Sequence, residues 1–211
     1  MRGLYAIVDV ATLSQRRLPV LDVAEAIARA RPAAMQLRAK DLAPREMLQL
    51  LRAIHPLCRE SGVPLYANDR PDLAMLAGCE GVHIGQKDLP VSVVRRIAPM
   101  LRIGVSTHTL GEVEEAILDQ PDYVAFGPVF ETRSKAEPEP VVGIDNLCKV
   151  VARCPVPVVA IGGIDFHRAA DVARASHLGA AIGALLPENG SNDALSSITQ
   201  RARKLHEALA S

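Results

Sequence analysis

The residues best suited to chemistry stand in two short stretches, Asn68-Asp69-Arg70 and Gly85-Gln86-Lys87-Asp88, with Asp88 falling 19 residues beyond Asp69. Each stretch follows an apolar run, residues 63–67 and 81–84, that reads as a buried strand giving way to a loop. Residues 71–77 between them have the composition of a short helix, which makes one strand–helix–strand unit. In a parallel sheet both carboxylates then lie at the strand ends where ligands gather. Two converging carboxylates repel unless a cation sits between them, and Mg²⁺ with a polyphosphate suits that geometry. Asp ahead of a Pro-led helix also serves capping alone, behind Pro71 and behind Pro90. The pair by itself leaves both readings open.

A second polar group follows the run at residues 33–37. Gln36, Arg38 and Lys40 alternate, so an extended backbone puts an amide and two cations on one face, suited to an anion. Taken alone, three such residues also fit a solvated strand end. Ser106 closes the strand at 102–106, and a long connection at 128–143 carries Thr132, Arg133, Ser134 and Lys135. A loop of that length inside a compact domain is usually functional. Gly162-Gly163 and Gly183 follow the last two apolar runs, where backbone N–H groups can approach a phosphate.

The elements that must position these residues alternate throughout. Strands are expected at 4–9, 33–37, 63–67, 81–84, 102–106, 123–127, 157–163 and 178–186, with helices at 20–30, 44–60, 71–77, 91–100, 110–118, 144–152, 166–175 and 194–209. This order implies a parallel sheet with right-handed crossovers. Eight units predict an α/β fold, one (β/α)8 TIM barrel domain over residues 1–211. An open doubly wound sheet is the competing topology. No GxGxxG follows the first strand, however, and polar residues recur after nearly every strand rather than at one switch point.

Composition narrows the partners. The chain has 211 residues, 49% of them apolar and only 3% aromatic, so its core is aliphatic. Lys+Arg and Asp+Glu balance at 24 each, which argues against nucleic acid or an anionic membrane as partner and makes any anion site local. No apolar run approaches the length of a bilayer span, and Met1 leads almost directly into a strand. The four cysteines show no metal-ligand spacing, and free thiols in a reducing cytoplasm are expected. The sequence shows no decisive exposed stripe, though a homo-oligomer is compatible with it.

At these residues the sequence resembles the thiamine-phosphate synthase family. The matching motifs are Gln36-Leu37-Arg38-Ala39-Lys40, Asn68-Asp69-Arg70, residues 82–88, residues 104–108, residues 127–135 and residues 160–164, in order between about Leu4 and Leu186. The resemblance implies a (β/α)8 fold, Mg²⁺, and the joining of hydroxymethylpyrimidine diphosphate to a thiazole phosphate with release of pyrophosphate. It puts the pyrimidine diphosphate on Gln36, Leu37, Arg38, Ala39, Lys40, Asn68, Ser106 and Lys135, and Mg²⁺ on Asp69 and Asp88. The thiazole phosphate falls to Thr132, Arg133, Ser134 and Gly163 and to backbone near Ile182 and Gly183. Arg38, Lys40, Lys135 and Ser106 are the expected catalytic residues. His83 is expected to be structural and His108 a loop or capping residue.

The chain departs from the family pattern in places. Gly183 stands where the family commonly has serine, and residues 136–142 are more acidic than a neighbouring diphosphate would favour. A related thiazole tautomerase shares the fold but places a histidine where this chain has Pro128, and it lacks the paired acids. A catalytically silent binder of thiazole or thiamine phosphates is the reading from a different class, prompted by Gly183 and the acidic loop.

Overall fold

The computed structural model describes residues 2–132, 139–188, 190 and 193–211. Its strands are β1 (Gly3–Asp9), β2 (Ala34–Arg38), β3 (Leu65–Asn68), β4 (Gly81–Ile84), β5 (Arg102–Thr107), β6 (Tyr123–Phe126), β7 (Val158–Ala160) and β8 (Leu178–Ala181). They close in the order β1 to β8, with β1 pairing β8 in parallel as every other neighbour does. The barrel expected from the sequence is therefore present and the open sheet is not.

The helices among the described residues are α1 (Val10–Gln15), α2 (Val20–Ala28), α3 (Pro44–Ser61), α4 (Pro71–Ala77), α5 (Val91–Ile97), α6 (Leu110–Leu118), α7 (Gly143–Arg153), α8 (Ala169–Ala175) and α9 (Ala194–Ala210). Among the described residues one more helix is present than the eight expected: directly after β1 the Asp9 carboxylate accepts from Thr12 N at 2.9 Å and starts α1. The last strand is also shorter than its apolar run, because residues 183–185 turn into a single 3₁₀ turn. None of the described helices is long and apolar enough to cross a membrane.

Period two along each strand divides the core in two. Leu4, Ala6 and Val8, with Met35, Leu37, Val82, Ile84, Ile103 and Val124, face outward and bury against the helices. The opposite parity fills the barrel, where Tyr5, Ile7, Ala34, Tyr66, Tyr123, Ala125, Val159, Leu178 and Ala180 form a second cluster. All three tyrosines of the chain meet in that layer, with ring centroids 5.6 to 5.8 Å apart. Gly104 makes the layer possible: a Cβ there would stand 1.9 Å from the Tyr123 ring. Following the inward parity up the strands changes the chemistry. β2 runs Ala34, Gln36, Arg38 and β1 runs Tyr5, Ile7, Asp9, from apolar floor to charged mouth.

Candidate active site

At the carboxyl ends of the strands lies a cavity of about 750 Å³, within the usual size for a small-molecule site. Gln36, Arg38 and Lys40 all line it, as their alternation required. So do Asn68, Asp69, Asp88, Ser106, Thr132, Gly163, Ile182 and Gly183, contributed by the ends of six other strands. Leu37 and Ala39 do not line it, since their parity turns both side chains into the outer core. Arg133, Ser134 and Lys135 lie outside the described residues.

The two acids converge without serving as helix caps. The N-cap of α4 is Arg70 and that of α5 is Pro90, and neither start receives a side-chain cap. Asp88 instead accepts from Gly85 N at 2.7 Å, a bond that tightens its own loop. Asp69 holds a left-handed backbone, φ 64°, unusual for a residue with a side chain. Burial, followed by the neighbouring Asp88 carboxylate, raises the Asp69 carboxyl above its ordinary range, against the pull of Lys40. Lys40 Nζ stands 3.3 Å from Asp69. Such a pair of hard, mutually repelling oxygens has the chemistry that suits a divalent cation. Among the described residues no third acid, histidine or cysteine joins them in a group able to hold a metal. Two carboxylates with the remaining positions left to water and phosphate fit Mg²⁺ better than a metal that demands a full protein cage.

Arg38 is held by a residue the sequence reading left without a role. Asp9 is its register partner across β1 and β2, and Arg38 Nη1 donates to Asp9 Oδ2 at 2.5 Å. The Asp9 side chain is only 4% exposed. Burial opposes its ionisation, but the Thr12 hydroxyl and N–H and the Arg38 guanidinium together hold the carboxyl below its usual range. The inward parity of a strand ending in an acid was the available signal, and it needs the neighbouring strand's register to be read.

The opposite end of the cavity is built from close-packed backbone. Val129 N donates to Ile161 O at 2.8 Å and Phe130 N to Gly162 O at 3.1 Å, laying the loop after β6 on the turn after β7. Gly162 and Gly163 take φ of 97° and 65°, and a Cβ on either would come within 2.4 Å of that loop. Arg168 adds a cation here, donating to Gly163 O at 2.5 Å and lying 4.6 Å over the Phe130 ring. It lines the cavity and was missed in the sequence, where nothing ties a helix-start arginine to a loop glycine. His108 stands in the loop between β5 and α6, as expected, and lines the cavity; Nδ1 donates to Gly127 O at 2.6 Å, and Thr109 caps α6. His83 is buried in the cavity floor.

The family profile described as thiamine monophosphate synthase (TMP-TENI) matches residues 4–185. The chain is 40% identical over 183 residues to a thiamine-phosphate synthase of Roseiflexus castenholzii, covering 86% of this chain and 79% of that protein. To a thiamine-phosphate synthase of Anaeromyxobacter dehalogenans it is 44% identical over 182 residues, covering 85% of this chain and 78% of that one. Among solved structures, the thiamine phosphate pyrophosphorylase of Pyrococcus furiosus superposes with a TM-score of 0.83 at 31% identity, covering 98% of this chain and 96% of that one. The profile match across nearly the whole barrel and the identities to these synthases show that the chain belongs to the thiamine-phosphate synthase family.

Proposed function

We propose that the protein condenses hydroxymethylpyrimidine diphosphate with a hydroxyethylthiazole phosphate, forming thiamine phosphate and releasing pyrophosphate. The observation that carries this reading is one cavity with cationic side chains on two of its sides in a chain of this family. Arg38, Lys40 and the Asp69–Asp88 pair stand at one end, and the Gly163 turn with Thr132, Gly183 and Arg168 stands at the other. Asp69 and Asp88 would hold Mg²⁺, which when bound neutralises charge on a diphosphate.

In the reaction the carbon–oxygen bond at the pyrimidine methylene breaks, and its electron pair leaves with pyrophosphate. The aminopyrimidine ring delocalises the resulting cation until the thiazole nitrogen donates its lone pair to form the new carbon–nitrogen bond. Atoms and charge balance without a proton transfer, so no side chain is assigned as general base. Arg38, oriented by Asp9, and Lys40 stabilise the departing diphosphate, and Lys135 is assigned the same task from the family pattern. Gln36, Asn68 and Ser106 orient the pyrimidine, with backbone of Leu37 and Ala39 beside the diphosphate. Thr132, Arg133, Ser134, Gly163 and the backbone at Ile182 and Gly183 hold the thiazole phosphate, so that its nitrogen lies in line with the methylene.

The test is pyrophosphate release and thiamine phosphate formation from the two substrates, with Mg²⁺ and with a chelator. Turnover that needs both substrates and the metal is expected. Binding of both substrates with no product would overturn the synthase reading in favour of a silent binder.

A further inference from the structure

We infer that Tyr5, Tyr123 and His83 form a polarised hydrogen-bond relay under the cavity that makes Gln36 an acceptor and Ser106 a donor, selecting a 4-aminopyrimidine over a 4-oxopyrimidine. The inference rests on the proposed pyrimidine diphosphate reading and adds what sets the choice of ring.

The relay is continuous. Gln36 Nε2 donates to Tyr5 Oη at 3.0 Å, Tyr5 Oη lies 2.8 Å from Tyr123 Oη, and Tyr123 Oη lies 3.0 Å from His83 Nδ1. His83 Nε2 then lies 2.8 Å from Ser106 Oγ. Gln36, Tyr5, Tyr123 and His83 are each less than 10% exposed, so these bonds are shielded from competing water. Stacking at 5.7 Å between the His83 and Tyr123 rings fixes the corner of the chain.

Counting hydrogens gives the relay a direction. An amide nitrogen only donates, so Tyr5 receives from Gln36, and the relay passes its single hydrogen on to Tyr123, so that each buried hydroxyl hydrogen meets an acceptor. Tyr123 has then accepted and gives its own hydrogen to His83 Nδ1. That nitrogen is therefore the bare one, and Nε2–H donates to Ser106 Oγ. At the two ends, the Gln36 carbonyl oxygen and the Ser106 hydrogen are left for the cavity that both residues line. Turning the Gln36 amide over would reverse every link, giving a donor at Gln36 and an acceptor at Ser106. Run in either direction, such a relay leaves its two ends opposite in sign.

Gln36 is on β2 and Ser106 on β5, three strands apart around a closed eight-stranded barrel, so they face each other across its interior. A 4-aminopyrimidine lying between them offers an N–H donor at C4 and, para to it, the N1 acceptor. A 4-oxopyrimidine offers an oxygen at C4 and meets the Gln36 carbonyl with two acceptors face to face. A site built to pair polar groups rejects the analogue that leaves them unpaired.

Two measurements test the relay. Nitrogen NMR of the full-length, histidine-labelled protein, with His83→Gln to assign the signal among six histidines, should find Nε2 protonated and Nδ1 bare. The kcat/KM ratio for the 4-amino over the 4-oxo pyrimidine diphosphate should fall about 10-fold or more in Tyr123→Phe and in Tyr5→Phe. A purely structural role would lower both rates together and leave the ratio unchanged. If one variant fails to fold, the other decides. A His83 protonated on Nδ1, or an unchanged ratio, overturns the inference. Failure of the unmodified protein to turn over the amino substrate would sink the functional reading instead, while the His83 tautomer would still decide the polarity of the relay.

Discussion

Asp9→Asn isolates what the buried carboxylate does for Arg38. Asn keeps an oxygen for Thr12 N, so the helix cap of α1, worth about 1 kcal/mol, survives in Asn and is lost in Asp9→Ala. The Asn amide NH2 then stands where Asp9 Oδ2 accepted from Arg38 at 2.5 Å, so the substitution removes the charge and sets a donor against a donor. Truncating one side of a fully buried pair costs about 3–5 kcal/mol. The Arg38 side chain, however, is 21% exposed, and water at the mouth can take over part of its solvation. A loss of about 1–2 kcal/mol is therefore expected, between the exposed and buried limits. The kinetic effect should be larger in proportion. A guanidinium swung by about 1 Å from the departing diphosphate can cost about 100-fold, so kcat should fall about 10- to 100-fold. The pH dependence follows from the direction of the shift. Asp9 is held below the ordinary carboxyl value when folded, so its stabilisation is complete above about pH 4 and disappears as pH falls through the lower folded value. Asp9→Asn should flatten that acid limb of the stability curve. Urea unfolding from neutral to acid pH, with pyrophosphate release at saturating substrates, reads both effects. A variant with unchanged kcat and an unchanged acid limb would refute the assignment of Asp9 as the residue that orients Arg38.

Asp69→Ala should abolish turnover while unfolding stays cooperative, since the carboxylate caps no helix; an active, Mg²⁺-independent variant would remove Asp69 from the metal site. Gly183 has open space around a built Cβ and no left-handed φ, so Gly183→Ser should fold and, by adding a hydroxyl near the thiazole phosphate, lower its KM about 10-fold. The KM for the pyrimidine diphosphate should not move, and a rise for thiazole phosphate would mean that the phosphate is held elsewhere. Gly104→Ala drives a methyl into the Tyr123 ring and should cost at least about 1–3 kcal/mol in chemical denaturation. A neutral result there would show that the tyrosine layer can shift.

The chain's alternation of apolar runs and amphipathic helices was enough to predict the barrel, because the strand and helix periods are local properties of a sequence. Parity was legible too. Gln36, Arg38 and Lys40 had to share a face, whereas the family motif carried Leu37 and Ala39 into the expected site and the fold turns both side chains into the outer core. The convergence of Asp69 with Asp88 followed from a single strand–helix–strand unit. What remained undecided was whether the acids were caps, a question that turns on which oxygen meets which N–H. The folded backbone answers it with a left-handed Asp69 and an Asp88 bonded to Gly85. Asp9 beside Arg38, Arg168 beside Gly163, and the run from Gln36 through Tyr5, Tyr123 and His83 to Ser106 all join residues from different strands or loops. No local period encodes such pairings. They appear only when barrel closure sets the register between strands, and Gly104 gives up its side chain so that the tyrosines can meet at the centre.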